Sequence, residues 1–343
     1  MDLAKTNNQS YQLSGMITLA LRMVVGWTYF SAFWRRLILE NKLDPDAAGY
    51  IGEKFNHFLP NALGIKPMIE YLVSNPDALW WAMAVFTIVE GIVGLLLMFG
   101  FFTRLMSIGV FSLAMGILLG SGWIGTTCLD EWQIGVLGVS SGFLLFLSGS
   151  AKYSLDQYFI NKNMKFTQTK WFAWLGSGNL PLQMKKISKI VLIGSIGILG
   201  LTLFTNQYFH GGVYGTLHNM SVKPIVEISD ASIKDQNLNF RLYRVEGADV
   251  YGSFLIGIKL TDSEGNEIMS MDGKALSEFN TAQIDNHYVS KIKPGKHSLV
   301  IPLGAKADLS IPLESNLVET GKTYQLTLID ISGIEWTETV LVQ

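Results

Sequence analysis

Cysteine is nearly missing from this sequence. Cys128 is the only one, so the chain forms no internal disulfide and carries no CxxC pair for dithiol redox cycling. Histidine is scarce as well. The five present (His57, His210, His218, His287 and His297) are scattered, with no zinc or haem spacing, which argues against a metal centre. Charged residues make up only 16% of the chain, against about 25% in ordinary soluble proteins. A formal net charge of −2 leaves no basic footprint for nucleic acid. A secretory leader is not evident either. The N-terminal region has one lysine, Lys5, Arg22 interrupts the apolar run, and no small-x-small cleavage site precedes Arg35 and Arg36. The expectation is a retained first helix.

Apolar residues are abundant, at 49% of the chain, and they are unevenly placed. Five segments approach the roughly 20 apolar residues that cross a bilayer: 14–37, 79–99, 104–122, 132–150 and 187–206. Glycines recur through them, and small residues let membrane helices approach closely. Basic residues of one set of loops (Lys5, Arg104, Lys152, Lys162, Lys165, Lys170, Lys185, Lys186) outnumber those of the other (Arg35, Arg36, Lys42, Lys54, Lys66). By the positive-inside rule the N-terminus is expected in the cytoplasm and the C-terminal part outside. Trp34, Trp80, Trp81, Trp123 and Trp132 then form an outer aromatic belt. Trp171 and Trp174, among lysines, suit a segment on the inner surface.

The 38–78 stretch has helical apolar spacing between prolines, which predicts two short amphipathic helices capping the bundle. Past the fifth apolar run comes a glycine-rich joint, His210-Gly211-Gly212-Val213-Tyr214-Gly215. Alternating runs at 224–230, 237–245, 253–262, 297–303, 323–331 and 334–342 then read as strands of a sandwich-like all-β domain. The expected organisation is a four-helix membrane domain over 1–160, a cytoplasmic linker over 161–186, a fifth transmembrane helix over 187–206 and an extracytoplasmic β domain over 207–343.

Charges inside membrane spans carry the most information, because centring one costs about 2.5–3.5 kcal/mol on insertion scales. Arg22 and Glu90 come out at similar depths on antiparallel helices, which predicts that they face each other, as a structural ion pair or as a pocket wall handling protons or anions. In the turn Thr127-Cys128-Leu129-Asp130-Glu131-Trp132-Gln133, Asp130 and Gln133 are spaced as an N-cap and its reciprocal partner. Cys128 precedes a helix N-terminus that favours a thiolate, while Asp130 and Glu131 oppose one; an inert small hydrophobe is the other reading. Arg35 and Arg36 at the outer end of the first helix suit an oxyanion or an interfacial anchor. His210 and His218 suit anion binding or proton transfer, or an ordinary surface role.

The run Leu21-Arg22-Met23-Val24-Val25-Gly26-Trp27 resembles the DoxX/DoxD family, and Thr127-Cys128-Leu129-Asp130-Glu131-Trp132 resembles DoxD, the larger subunit of thiosulfate:quinone oxidoreductase. The fifth helix, the His-Gly-Gly-x-Tyr-Gly joint and the β domain are similar to DoxA, the smaller subunit. The chain thus resembles a natural DoxD–DoxA fusion. The resemblance implies oxidation of thiosulfate to tetrathionate with electrons passed to membrane quinone, in the inner membrane and with no metal, haem or flavin evident. On that reading Cys128, Arg22, Glu90, Asp130 and Glu131 are catalytic candidates. Arg35, Arg36, Trp132, His210 and His218 are candidates for binding thiosulfate, with quinone deeper, near Arg22 and Glu90. A homo-oligomer is compatible with this reading. The competing expectation is a non-enzymatic DoxX-like accessory membrane protein whose β domain docks a periplasmic partner.

Overall fold

The structure, a computed structural model, describes residues 3–125, 130–248, 253–314 and 318–342. Contacts divide the chain into two compact units, one built from the described residues of 1–48, 81–122 and 129–218, the other from those of 49–80, 123–128 and 219–343.

The first unit is helical. Its main helices are α1 (Leu3–Ile17), α2 (Leu19–Phe33), α5 (Pro76–Phe99), α6 (Thr103–Ser121), α7 (Asp130–Ser148) and α10 (Met184–His210), with the short α8 (Leu155–Asn161) and α9 (Lys170–Leu175) between the last two. Among the described residues α5, α6, α7 and α10 are each long and apolar enough to cross a membrane. A fifth crossing is available if Gln9–Ile17 and Leu19–Leu39, bent by 48°, are one span. The bend falls at Thr18, inside the expected 14–37 helix. The Thr18 hydroxyl bonds back to the Ser14 carbonyl at 3.1 Å, a habit of Ser and Thr that bends helices. Beyond α2 the chain continues as a π-helix, Trp34–Leu39, so Arg35 and Arg36 lie in helix that runs two residues past the expected end.

Helices α2 and α5 run antiparallel and very close. A Cβ on Gly26 would lie 2.8 Å from the Gly94 carbonyl oxygen, and one on Gly94 would clash with the Phe30 backbone. Only glycine allows that approach. Helix α10 is different. None of its apolar window is buried within the protein, and Leu192, Ile193, Ile196 and Leu199 are exposed. Such a surface is stable when it faces lipid.

The second unit holds α3 (Ile51–His57), α4 (Lys66–Val73), the short α11 (Gly273–Ser277) and ten strands. The strands are β1 (Ile225–Lys234), β2 (Asn237–Glu246), β3 (Ser253–Thr261), β4 (Glu267–Asp272), β5 (Ile284–Asn286), β6 (Lys293–Pro294), β7 (Leu299–Ile301), β8 (Lys306–Pro312), β9 (Thr323–Asp330) and β10 (Glu335–Val342). They form one connected sheet in the order β5-β8-β2-β1-β10-β9-β3-β7-β6, with β4 on β3. All pairs are antiparallel except β1 with β10. Residues from both ends of that order, Ile284 and Leu299, share one core with Leu238, Leu260 and Leu326. The sheet therefore curls into a nearly closed barrel about a single interior, which is how one sheet buries the apolar face that its alternation creates. A tight turn with Asp235 and Gln236 at positive φ joins β1 to β2, as hairpin twist requires.

The two expected loop helices are present as α3 and α4, and they pack on the β domain. Their apolar face, with Leu59, Ile69 and Val73, closes around Tyr288. Asn56 Nδ2 donates to the Gly304 carbonyl at 2.7 Å, and the Tyr288 hydroxyl donates to Glu70 Oε1 at 2.8 Å. Four long apolar helices (α5, α6, α7 and α10) lie between this loop and the sheet in the chain. Trp123 is a correction to the expected belt. It is fully buried and donates to the Phe58 carbonyl, so it is core and not part of an aromatic belt, whereas Trp34 and Trp81 are exposed.

Candidate functional site

Two stripes at heptad spacing define the interior of the bundle. On α2 and its π-helical extension they run Arg22, Gly26, Tyr29, Phe33, Arg36; on α5, Leu97, Gly94, Glu90, Thr87, Met83. Antiparallel packing sets Gly26 against Gly94 and Met98, and Phe33 against Gly91. In that register the partner of Glu90 is Arg36. Arg36 Nη1 donates to Glu90 Oε2 at 2.5 Å and to Thr87 Oγ1 at 3.1 Å, and its guanidinium lies 5.8 Å from the centre of the Phe86 ring. Glu90 is 3% exposed and Thr87 fully buried. Tyr29, buried on the same face, interacts electrostatically with Glu90.

The expected pairing of Arg22 with Glu90 is therefore corrected. Fourteen residues separate Arg22 from Arg36, which is about 20 Å along a helix, and the depth argument failed because the first span breaks at Thr18 and extends to Leu39. Arg22 instead donates to the carbonyls of Ser150 at 3.2 Å and Tyr153 at 2.8 Å, beside Gly100. It serves the opposite end of the bundle from Arg36.

That end contains a polar network that sequence reasoning missed. Arg104 donates to the carbonyls of Phe146, Ala173 and Gly178 at 2.9, 2.7 and 2.7 Å, tying the α7 terminus to the segment around α9. The Asp156 carboxylate accepts from the amides of Phe102 and Thr103 and from the Thr103 hydroxyl, completing the start of α6. Ser177 bridges Asp156 to Ser150. Carbonyls at a helix end have no intrahelical partner, and inside a bilayer a guanidinium is an economical way to satisfy several at once. The visible signal was Arg104 opening an apolar run four residues after Gly100.

At the other ends of α6, α7 and α10 lies a smaller aromatic cluster. Trp132 Nε1 donates to Thr205 Oγ1 at 3.0 Å, and the Trp132 indole meets the His210 ring edge-on at 6.4 Å. His210 is 2% exposed. Its Nε2 lies 3.0 Å from the Gly122 carbonyl; a carbonyl only accepts, so Nε2 carries the hydrogen. The buried Nδ1 has no partner among the described residues. His218 is exposed, and its amide donates to the His210 carbonyl. Gly211, at positive φ, ends α10, and the Gln207 side chain accepts from the amides of Val213 and Tyr214, which orders the joint. Asp130 and Glu131 occupy the first turn of α7. Arg35 is exposed and donates to the Ser31 carbonyl. Cys128 lies outside the described residues, as do Thr126, Thr127 and Leu129. Of the residues singled out from the sequence, the structure thus unites Arg36 with Glu90 and Trp132 with His210, and sets Arg22 apart from Glu90.

Two family models match this chain. Residues 17–183 match DoxD, described as "TQO small subunit DoxD", and residues 209–339 match DoxA, described as "TQO small subunit DoxA". Both descriptions say small subunit, so the assignment of the DoxD part as the larger one is not carried by them. Among solved structures, the twitchin kinase region from C. elegans (Fn31-NL-kin-CRD-Ig26) is similar at 13% identity with a TM-score of 0.19, over 70% of this chain and 41% of that one. The chain thus spans well under half of that protein, and a likeness this weak carries no argument about fold or function.

Proposed function

The chain belongs to the DoxD and DoxA families of TQO subunits, joined in one polypeptide, and from that premise we propose that it oxidises thiosulfate to tetrathionate and delivers the electrons to membrane quinone. In the overall reaction a new S–S bond joins two thiosulfate dianions as two electrons leave, and quinone takes up those two electrons with two protons. Two requirements follow for the protein. Positive charge must offset the repulsion between the dianions, and a protonatable group must operate inside the membrane.

The observation that carries the proposal is the buried Arg36–Glu90 pair with Thr87. Charged groups inside a span are costly and mark function by default. Arg36 keeps 16% side-chain exposure, and with the exposed Arg35 beside it the helix end presents one more positive charge than Glu90 neutralises. Guanidinium groups suit a sulfur oxyanion. Glu90 holds Arg36 in place and is the protonatable carboxyl of this cluster. Trp132, His210 and His218 line the neighbouring helix ends as further thiosulfate-binding candidates. Cys128, with Asp130 and Glu131 following it, is proposed either to border direct electron transfer or to join its thiolate to the sulfane sulfur of one thiosulfate as two electrons pass to quinone, the second thiosulfate then attacking that sulfur and releasing tetrathionate and the thiolate. Arg22 acts by holding the opposite end of the bundle together. On this reading the chain resides in the inner membrane, its N-terminus cytoplasmic and its β domain periplasmic.

The test is direct. Purified protein is mixed with thiosulfate and a soluble quinone analogue, following quinone absorbance and tetrathionate formation. Consumption of two thiosulfates, with one tetrathionate formed, per quinone reduced supports the reading; no quinone reduction sinks it. A fully active Cys128→Ala protein would remove the adduct version alone.

A further inference from the structure

Helix α10 meets α7 where a Cβ on Gly194 would clash with the Phe143 ring and where Trp132 bonds Thr205. Nearer the start of α10 the two helices leave a groove. It consists of two clefts, of about 470 and 440 Å³, that share Ser14, Leu147 and Ser148. One stretch is walled by Leu137, Leu144 and Val191, apolar side chains that are exposed within the protein. The other ends at Asn179, Gln183 and Met184, where α10 begins. None of the apolar window of α10 is buried by protein, so in a bilayer the groove opens on hydrocarbon. An empty groove would forfeit the dispersion contacts of its walls.

The mouth at the start of α10 carries charge of one sign. Residues 149–190, which link α7 to α10 and open that helix, include seven lysines and a single acid, Asp156. The Asp156 carboxylate is fully buried and bonded to the start of α6, so the lysines meet no exposed carboxylate in that stretch. Lys185 and Lys186 are exposed, next in sequence to Gln183 and Met184 at the groove end. No side chain caps α10 there, which favours an anion at its first amides. Arg104 and Tyr11 also line this stretch, but backbone groups engage both, which leaves the exposed charge to the lysines. Basic pockets between membrane helices suit anionic lipid headgroups.

We propose that this groove holds an anionic phospholipid, with an acyl chain along Leu144 and Val191 and the phosphate at Lys185, Lys186 and the start of α10. The lipid then supplies packing between α10 and the bundle that side chains do not. Such a site touches neither Arg36 nor Glu90, so it stands whatever reaction the bundle catalyses.

Full-length protein in phosphatidylcholine nanodiscs, doped with a phosphatidylglycerol that carries an acyl-chain diazirine, tests this by mass-spectrometric mapping of the label. The expected result is labelling of 137–148 and 187–195, roughly tenfold stronger than with the matching diazirine phosphatidylcholine and unaffected by a prenylated quinone. Equal labelling by the two lipids would mark ordinary annular lipid, and displacement by the quinone would mark a quinone groove; either overturns the proposal. The double substitution Lys185→Gln with Lys186→Gln alters only exposed side chains. It is expected to bring phosphatidylglycerol labelling down to the phosphatidylcholine level, and labelling as strong as in the parent overturns the headgroup assignment. Ser195→Trp, which fills the groove beside Val191, should abolish labelling of 137–148 by either lipid. Labelling that persists there overturns the acyl-chain assignment.

Discussion

Glu90 closes on Arg36, not on Arg22, because Gly26 and Gly94 bring α2 and α5 into backbone contact and so fix the register between them. An arginine fourteen residues away on the same stripe is left to bind main-chain carbonyls instead. The same residue type thus does two jobs at the two ends of one helix.

Breaking the Arg36–Glu90 pair on one side strands a buried charge, which costs about 3–5 kcal/mol. Arg36→Met is expected to lower the thermal unfolding midpoint in detergent more than the double substitution Arg36→Met with Glu90→Gln, in which neither charge remains. Quinone reduction should fall at least tenfold in Glu90→Gln. An active, fully stable Glu90→Gln protein would show the carboxylate to be dispensable.

Arg104→Leu leaves three carbonyls, those of Phe146, Ala173 and Gly178, without this donor, each worth about 1–3 kcal/mol when buried. The expectation is a protein that fails to accumulate as a folded species. Arg104→Lys, which has a single nitrogen in place of the planar fork, should fold with reduced stability. Size-exclusion profiles after solubilisation distinguish these outcomes.

Register is the object of a third test. Gly94→Leu places a side chain against the Phe30 backbone and should part α2 from α5, taking Arg36 away from Glu90. Crosslinking between cysteines introduced at positions 33 and 91, efficient in the parent with Cys128 replaced, should be lost. Retained crosslinking would show that the helices accommodate the branch without sliding.

The β domain offers a pH prediction. Partial burial pushes the Asp308 carboxyl up, but hydrogen bonds from Arg241 and His287 outweigh it and hold it below the ordinary aspartate value of 3.8. A carboxyl depressed in the folded state stabilises above its unfolded value and loses that contribution as pH falls through the folded one. Stability should therefore drop below about pH 4, and Asp308→Asn should flatten that drop. The carboxylate is partly exposed, so the effect is small, under about 1 kcal/mol. An identical acid limb in the substituted protein would exclude Asp308.

Much of this architecture was readable beforehand. The four long apolar runs became α5, α6, α7 and α10, and the strands that alternate cleanly, such as 237–245, appear nearly as expected. Other features were legible but passed over. Ala307, Leu309 and Ile311 alternate with Lys306, Asp308 and Ser310 and form β8. Arg36 falls on the stripe of Arg22, Gly26 and Tyr29, whereas Arg35 does not. What no local pattern carries is the long-range pairing. Arg104 finds carbonyls around α9 and Asp156 finds the start of α6 only once the short segments after α7 fold back, and nothing in α3 or α4 says that their apolar faces belong with Tyr288.

That last contact has a bearing on how such a polypeptide arose. The α3–α4 loop lies within the stretch matching DoxD, and the sheet it grips lies within the stretch matching DoxA. Asn56 to Gly304, Asn61 to Val245 and Tyr288 to Glu70 therefore clasp one ancestral part to the other. Covalent continuity through the glycine-rich joint is redundant with that grip, so a proteolytic nick at 212–217 should leave two fragments that travel together.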